Sequence, residues 1–353
     1  MRILVAGHSG RTNGIETYTR HLTQALQERG HEVITAYRAE SSLQPTSSGE
    51  RVHIGEPRRV VRRLVGPLES VTAQRRLREV ARTRECAVVH ATYPEFVFAG
   101  RPPVVVSAWH PESSWWRRSI TAGSRHERGR AEALYALSDA VAYHRASVIA
   151  LSRAVQRAVQ QRGHPAEWIP PFIPDRLIRR PAPSRPVSCA FIARWLDMPR
   201  KGLDLAIAAT GLLSRELPDL QLLLIGGFRN PATAGRLPSH CRALGLRRPD
   251  EVRQLLAASG CCVISSSWEE FGYSGLEALA AGVPLACTPL PGFEGLASDG
   301  IVVAARRDPV SLAESIRQAL RIESFEFPAG CRSSVAVPRI EQLYLELAAG
   351  DRV

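Results

Sequence analysis

Glu269 and Glu277 bracket the string Glu269-Glu270-Phe271-Gly272-Tyr273-Ser274-Gly275-Leu276-Glu277. Carboxylates accept hydrogen bonds from hydroxyls, so the pair suits a polyol such as a sugar or a ribose. An apolar, strand-like run precedes the string and an alanine-rich helical pattern follows it. A helix start offers unpaired backbone N–H groups and a positive dipole end to an anion. One glutamate there would be no more than a dipole-favoured residue. For the whole string a functional site is the preferred reading. A second string, Ala193-Arg194-Trp195-Leu196-Asp197-Met198-Pro199-Arg200-Lys201-Gly202, also joins a strand pattern to a helix pattern. Arg194 as a fork and Lys201 as a point charge could hold a diphosphate. Taken alone, they would be two solvated cations. Lys201, however, is the sole lysine of the chain; the other 45 basic residues are arginines.

Other residues carry weaker signals. Gly7, Gly10 and Gly14 make G-x-x-G-x-x-x-G, which is not the dinucleotide fingerprint. Gly14 could leave room for a phosphate at a helix start, or could only serve a packing turn. His110 ends the strand-like run Val104-Val105-Val106-Ser107-Ala108-Trp109-His110. Glu95, Glu112 and Trp115 surround the same expected rim, where carboxylates and an indole face could meet an acceptor. The ten histidines have no metal-ligand spacing, and the seven cysteines form no C-x-x-C, so no metal is expected.

The elements that must position these residues alternate. Strand patterns fall at 2–6, 32–37, 86–90, 103–108 and 147–151, with helical periodicity at 15–29 and 128–142. Seven prolines at 165–186 read as a linker. The pattern then restarts, with strands at 187–193, 221–225, 261–265 and 284–288 and helices at 203–213, 251–258 and 275–281. The expected fold is α/β, with two Rossmann-like doubly wound domains facing each other across a cleft. The domains are expected at 1–175 and 183–337, with a C-terminal helix within 338–353 packing back on the first.

Composition bounds the function. The chain has 353 residues and a net charge of +12. All of the excess lies in residues 1–180, with 28 basic and 16 acidic side chains, against 18 of each in the remainder. Such a half suggests an anionic partner. Arginines crowd 57–84 among valines and leucines, an arrangement open to a lipid-surface helix; a solvated face is preferred. No recognised nucleic-acid motif accompanies the charge, so no nucleic-acid partner is expected. No apolar run has the length of a membrane span, the first residues are too short for a signal peptide, and the cysteine pattern fits reduced thiols. A cytoplasmic location is the expectation.

Together the strings resemble the family-4 glycosyltransferases, retaining enzymes of the two-Rossmann GT-B type. Gly14-Ile15-Glu16-Thr17 matches part of that family's G-G-x-E stretch. The resemblance implies a nucleotide-diphosphate sugar as donor substrate, an acceptor hydroxyl and no cofactor. It implies that Arg194 and Lys201 hold the diphosphate and Glu269 the sugar hydroxyls. Backbone N–H groups of Phe271, Gly272, Tyr273 and Ser274 would cradle the sugar and distal phosphate, Glu277 the ribose, and His110 would lie beside the reacting carbon. Ala193 stands where the family often has glycine, Glu270 where it has glycine in E-G-F-G, and Pro111 where aspartate is frequent. A small natural-product or metabolite acceptor is expected, with a lipid or cell-surface glycan precursor as the alternative.

Overall fold

A computed structural model describes residues 1–7, 14–38, 49–55, 71–109, 136–182, 186–269 and 271–350. The chain forms two units, Met1–Pro171 with Ser334–Val353, and Phe172–Ser333.

In the first unit the strands are β1 Arg2–Gly7, β2 Glu32–Tyr37, β3 Arg51–His53, β4 Val88–Ala91, β5 Val104–Ala108, β6 Ser147–Ala150 and β7 Ala166–Trp168. They lie in the order β3-β2-β1-β4-β5-β6-β7, all parallel. Leu4 pairs with Ile34 on one side and Val89 on the other. All five residues of β5 are buried, because a parallel sheet covered on both faces reads as a continuous apolar run. The helices include α1 Gly14–Glu28, α2 Val71–Thr83 and α3 Arg153–Gln160. In α2, Ala73, Leu77 and Ala81 recur every four residues and enter the core, while Arg75, Arg78 and Arg82 stay exposed. The remainder of the arginine-rich stretch, 57–70, lies outside the described residues, as do 128–135 of the expected 128–142 helix; residues 136–145 are helical.

The second unit has β8 Ser188–Trp195, β9 Gln221–Gly227, β10 Cys241–Gly245, β11 Cys261–Ile264, β12 Leu285–Cys287 and β13 Ile301–Val303. Their order is β10-β9-β8-β11-β12-β13, again parallel. Its helices include α4 Leu203–Leu213, α5 Pro249–Ala257, α6 Tyr273–Ala280 and α7 Pro309–Leu320. The core joins Leu213, Leu220, Leu222 and Leu224 to Ile316 and Leu312 of α7. All seven cysteines are free thiols. In each sheet the strand order reverses beside the first strand of its unit, between β1 and β4 and between β8 and β11. Such a switch point opens a crevice at the carboxyl ends of the two strands.

The last helix, α8 Ser333–Ala349, passes through Pro338, which removes one backbone donor early in the helix. All but its first residue belong to the first unit. Glu341 accepts from Arg29 at 2.5 and 2.8 Å and lies 2.7 Å from His31 Nε2. Arg339 donates to Glu167 and to the Trp168 carbonyl, both at 3.0 Å. The Tyr344 hydroxyl meets His90 Nδ1 in the buried interior. No described helix is long and apolar enough to cross a membrane.

Candidate functional site

Lys201 and Glu269 are 68 positions apart in sequence, yet Lys201 Nζ donates to Glu269 Oε1 at 2.5 Å. Strand pairing brings them together. Cys189 of β8 pairs with Cys261 of β11, so the turns leaving these neighbours share the switch point. The turn after β8 closes through the short helical turn Pro199–Lys201 and ends at Gly202. Gly202 has φ +67°, and a Cβ there would meet the Ser265 carbonyl oxygen at 2.4 Å. Only glycine allows α4 to begin this close to the end of β11.

Ser265, Ser266 and Ser267 continue from β11 into this turn. Ser265 Oγ donates to the carbonyls of Lys201 at 3.0 Å and Gly202 at 2.7 Å. The Ser267 N–H donates to the Arg200 carbonyl at 2.8 Å. Ser266 Oγ instead donates to Glu269 Oε1 at 2.7 Å, and Arg200 Nη1 lies 3.5 Å from Glu269 Oε2. Glu269 is only 8% exposed, so its charge is met by two cations and a hydroxyl rather than by water. Asp197 accepts from the backbone N–H groups of Arg229 and Asn230 at 2.9 and 2.8 Å, tying the turn after β8 to the turn after β9. Burial opposes ionisation of Asp197, but those two bonds outweigh it and hold the carboxyl below its ordinary value.

Helix α6 begins from Gly272, whose φ is +77° and whose added Cβ would lie 2.8 Å from Phe293. The side chains of Phe271 and Tyr273 are buried, and the Tyr273 hydroxyl donates to the Phe172 carbonyl. These two residues therefore offer a ligand their backbone, not their rings. Ser274 and Glu277 are half-buried on α6. Burial pushes the Cys262 thiol up, and the nearby Glu277 carboxylate acts in the same direction.

The expected residues thus fall in several places. Lys201 and Glu269 are in contact. Phe271 to Glu277 form the α6 start that follows the same turn. Arg194 is exposed near the end of β8, its guanidinium 5.8 Å from the Trp195 ring centre. Gly14 opens α1 behind β1. Glu95 follows β4 in the short turn Pro94–Phe96, is buried, and faces the buried Arg38 guanidinium at 3.8 Å. His110, Glu112, Trp115 and Glu270 lie outside the described residues. Nothing in the local pattern distinguishes Arg200, beside Lys201, or Ser266, three positions before Glu269, on its own. A serine run just after a strand, opposite a lysine–glycine turn, was the available signal.

The family profile "Glycosyltransferase Family 4" matches residues 12–176, and "Glycosyl transferases group 1" matches residues 187–333. The chain belongs to the family-4 glycosyltransferases. Sucrose-phosphate synthase from Thermosynechococcus elongatus has the same fold, with a TM-score of 0.73 at 16% identity, over 99% of each chain. The Anabaena Alr3699/HepE protein, in complex with UDP and glucose, gives 0.66 at 18% identity over 99% of this chain and 98% of its own. These are GT-B glycosyltransferase folds. Phosphatidyl-myo-inositol mannosyltransferase of Mycobacterium tuberculosis is 32% identical over 116 residues, 32% of this chain. That match spans 30% of the relative's length.

Proposed function

We propose that the chain is a retaining, metal-independent glycosyltransferase that moves a sugar from a nucleotide-diphosphate sugar to an acceptor hydroxyl. The observation that carries this reading is the Lys201–Glu269 pair at the switch point of the second unit. It sets a compact cation beside a carboxylate, one suited to a phosphate oxygen and the other to a sugar hydroxyl. The α6 start lies at the end of the same turn and supplies N–H groups to the sugar and distal phosphate. Glu277, one turn further on, takes the ribose hydroxyls. As the bond to the diphosphate breaks, negative charge grows on the leaving group. Arg194, Lys201 and the helix start stabilise that charge through fixed groups. In the retaining reading a phosphate oxygen takes the acceptor proton, so no side-chain nucleophile is assigned. His110 is assigned to the neighbourhood of the reacting carbon, and Glu95, Glu112 and Trp115 to the acceptor.

A small natural product or metabolite is the first reading for the acceptor. A lipid or cell-surface glycan precursor is the second, and the exposed arginines of α2 together with the mannosyltransferase relative favour it. A thermal-shift panel of nucleoside diphosphates and nucleotide sugars tests the donor reading. At least one nucleoside diphosphate should raise the melting temperature, and no response to any member would overturn it. Co-sedimentation with anionic vesicles separates the acceptors, since failure to bind at low salt removes the membrane reading.

A further inference from the structure

We propose that Arg200 and Ser266 are positioning residues that hold Glu269 in place while Lys201 moves from that carboxylate to the donor's diphosphate. This rests on the donor-site reading above. In the structure Lys201 is engaged by Glu269, so a diphosphate drawing the ammonium away would leave a buried carboxylate in need of other partners. Those partners are already present. Oε1 keeps the Ser266 hydroxyl at 2.7 Å and Oε2 keeps Arg200 at 3.5 Å. With Lys201 gone, Glu269 retains one cation and one neutral donor, and its remaining acceptor capacity is open to a sugar hydroxyl.

Both holders are themselves fixed. Ser266 is 2% exposed, and its carbonyl accepts from Thr288 Oγ1 at 2.7 Å. The Arg200 carbonyl accepts from the Ser267 N–H. The three serines divide the task by the alternation of extended chain. Ser265 and Ser267 bind the backbone of the 200–202 turn, and Ser266, between them, turns to the carboxylate. The seam thereby sets two things independently: where the lysine stands and which way Glu269 points. Its consequence is a division of labour. Removing Arg200 or Ser266 should harm recognition of the sugar and spare recognition of the diphosphate.

The test compares matched ligands, UDP with UDP-glucose and GDP with GDP-mannose, by titration calorimetry. The proteins are the wild type, Arg200→Gln, Arg200→Lys, Ser266→Ala and Glu269→Gln. For the pair that binds, Arg200→Gln, which removes an ion-pair partner of Glu269, and Ser266→Ala, which removes a hydrogen bond to it, should each weaken the nucleotide sugar about 10-fold. The nucleoside diphosphate should change less than about 2-fold, and Arg200→Lys should restore most of the difference. If both ligands weaken equally, the two residues only support the turn and the proposal falls. If Glu269→Gln lowers the preference for the sugar and the other variants do not, the cradle is wrong and the donor site stands. If Glu269→Gln alters no ligand, the donor-site reading falls with it.

Discussion

The two sheets share a topology but treat the region of their switch points differently. In the second unit the turns after β8 and β11 carry paired charges, with Lys201 and Arg200 against Glu269. In the first unit, β4 on one side of the switch begins a neutral, buried chain, and the turns after β2 and β4 bury the Arg38–Glu95 pair. His90 of β4 meets Ser107 of β5 at 2.7 Å, Ser107 meets Tyr18 of α1 at 3.2 Å, and His90 meets Tyr344 of α8. Burial pushes the His90 ring down to about 3, so it is uncharged at neutral pH and can accept at one nitrogen while donating at the other. The Tyr18 hydroxyl is raised to about 12 by burial. A buried neutral chain makes a specific core, whereas the ion pairs of the second unit tie one turn to another. One parallel-sheet plan thus carries a neutral hydrogen-bonded chain between strands in one unit and an ion-paired seam between turns in the other.

Four substitutions break or sharpen this contrast. The largest effect is expected for Lys201→Ala, which should lower kcat/KM for the donor about 100- to 1000-fold with little change in melting temperature. A large loss of folding stability instead would mean that the lysine serves the fold. His90→Phe should do the reverse. It leaves the Ser107 and Tyr344 hydroxyls short of a partner and should cost about 2–3 kcal/mol in urea unfolding. The pH dependence follows from the same ring. Its folded value of about 3 lies below the ordinary 6.5, so the unfolded chain takes up the proton first. Its contribution is complete above about pH 6.5 and is lost as pH falls toward 3, and urea midpoints at pH 7, 5 and 4 should decline less steeply in His90→Phe than in wild type. Glu277→Ala should weaken nucleoside diphosphate binding about 10-fold by calorimetry, and equal affinity would remove the ribose assignment. Glu341→Gln should have the smallest effect. Burial opposes ionisation there, but the bonds from Arg29 and His31 outweigh it and hold the carboxyl below its ordinary value. With Arg29 half in water, the loss should be under about 1 kcal/mol, read as a small shift in urea midpoint.

Legibility in the sequence followed burial. The central strands announced themselves because burial on both faces demands unbroken apolar runs, as in Val104–Ala108 and Cys261–Ile264. Strands β3, β7, β10 and β13 did not. Each lies at or near a sheet edge, and Arg51–His53 and Cys241–Gly245 are partly or largely exposed, so no apolar pattern is required of them. Helix α7 is not among the expected elements either, although Asp308 caps it through the Ser311 N–H and Pro309 opens it. The expected final helix lies within 338–353, whereas the structure begins it at Ser333 and carries it through Pro338. His90 was one histidine among ten, and nothing around it in the chain distinguishes it, because its partners lie 17 and 254 positions away.

The residue types and their local spacing determined the alternation of strands and helices, the glycine-led helix start at α6, and the chemical kinds available: a lone lysine, two glutamates and a fork-shaped arginine. Those properties depend on near neighbours in the chain, where periodicity and turn chemistry act. Only the tertiary structure decided which of them touch. Lys201 meets Glu269 because β8 and β11 are adjacent, and adjacency of strands 72 positions apart is set by the packing of whole layers. The same reason governs Arg200 and Ser266, whose role exists only across that seam.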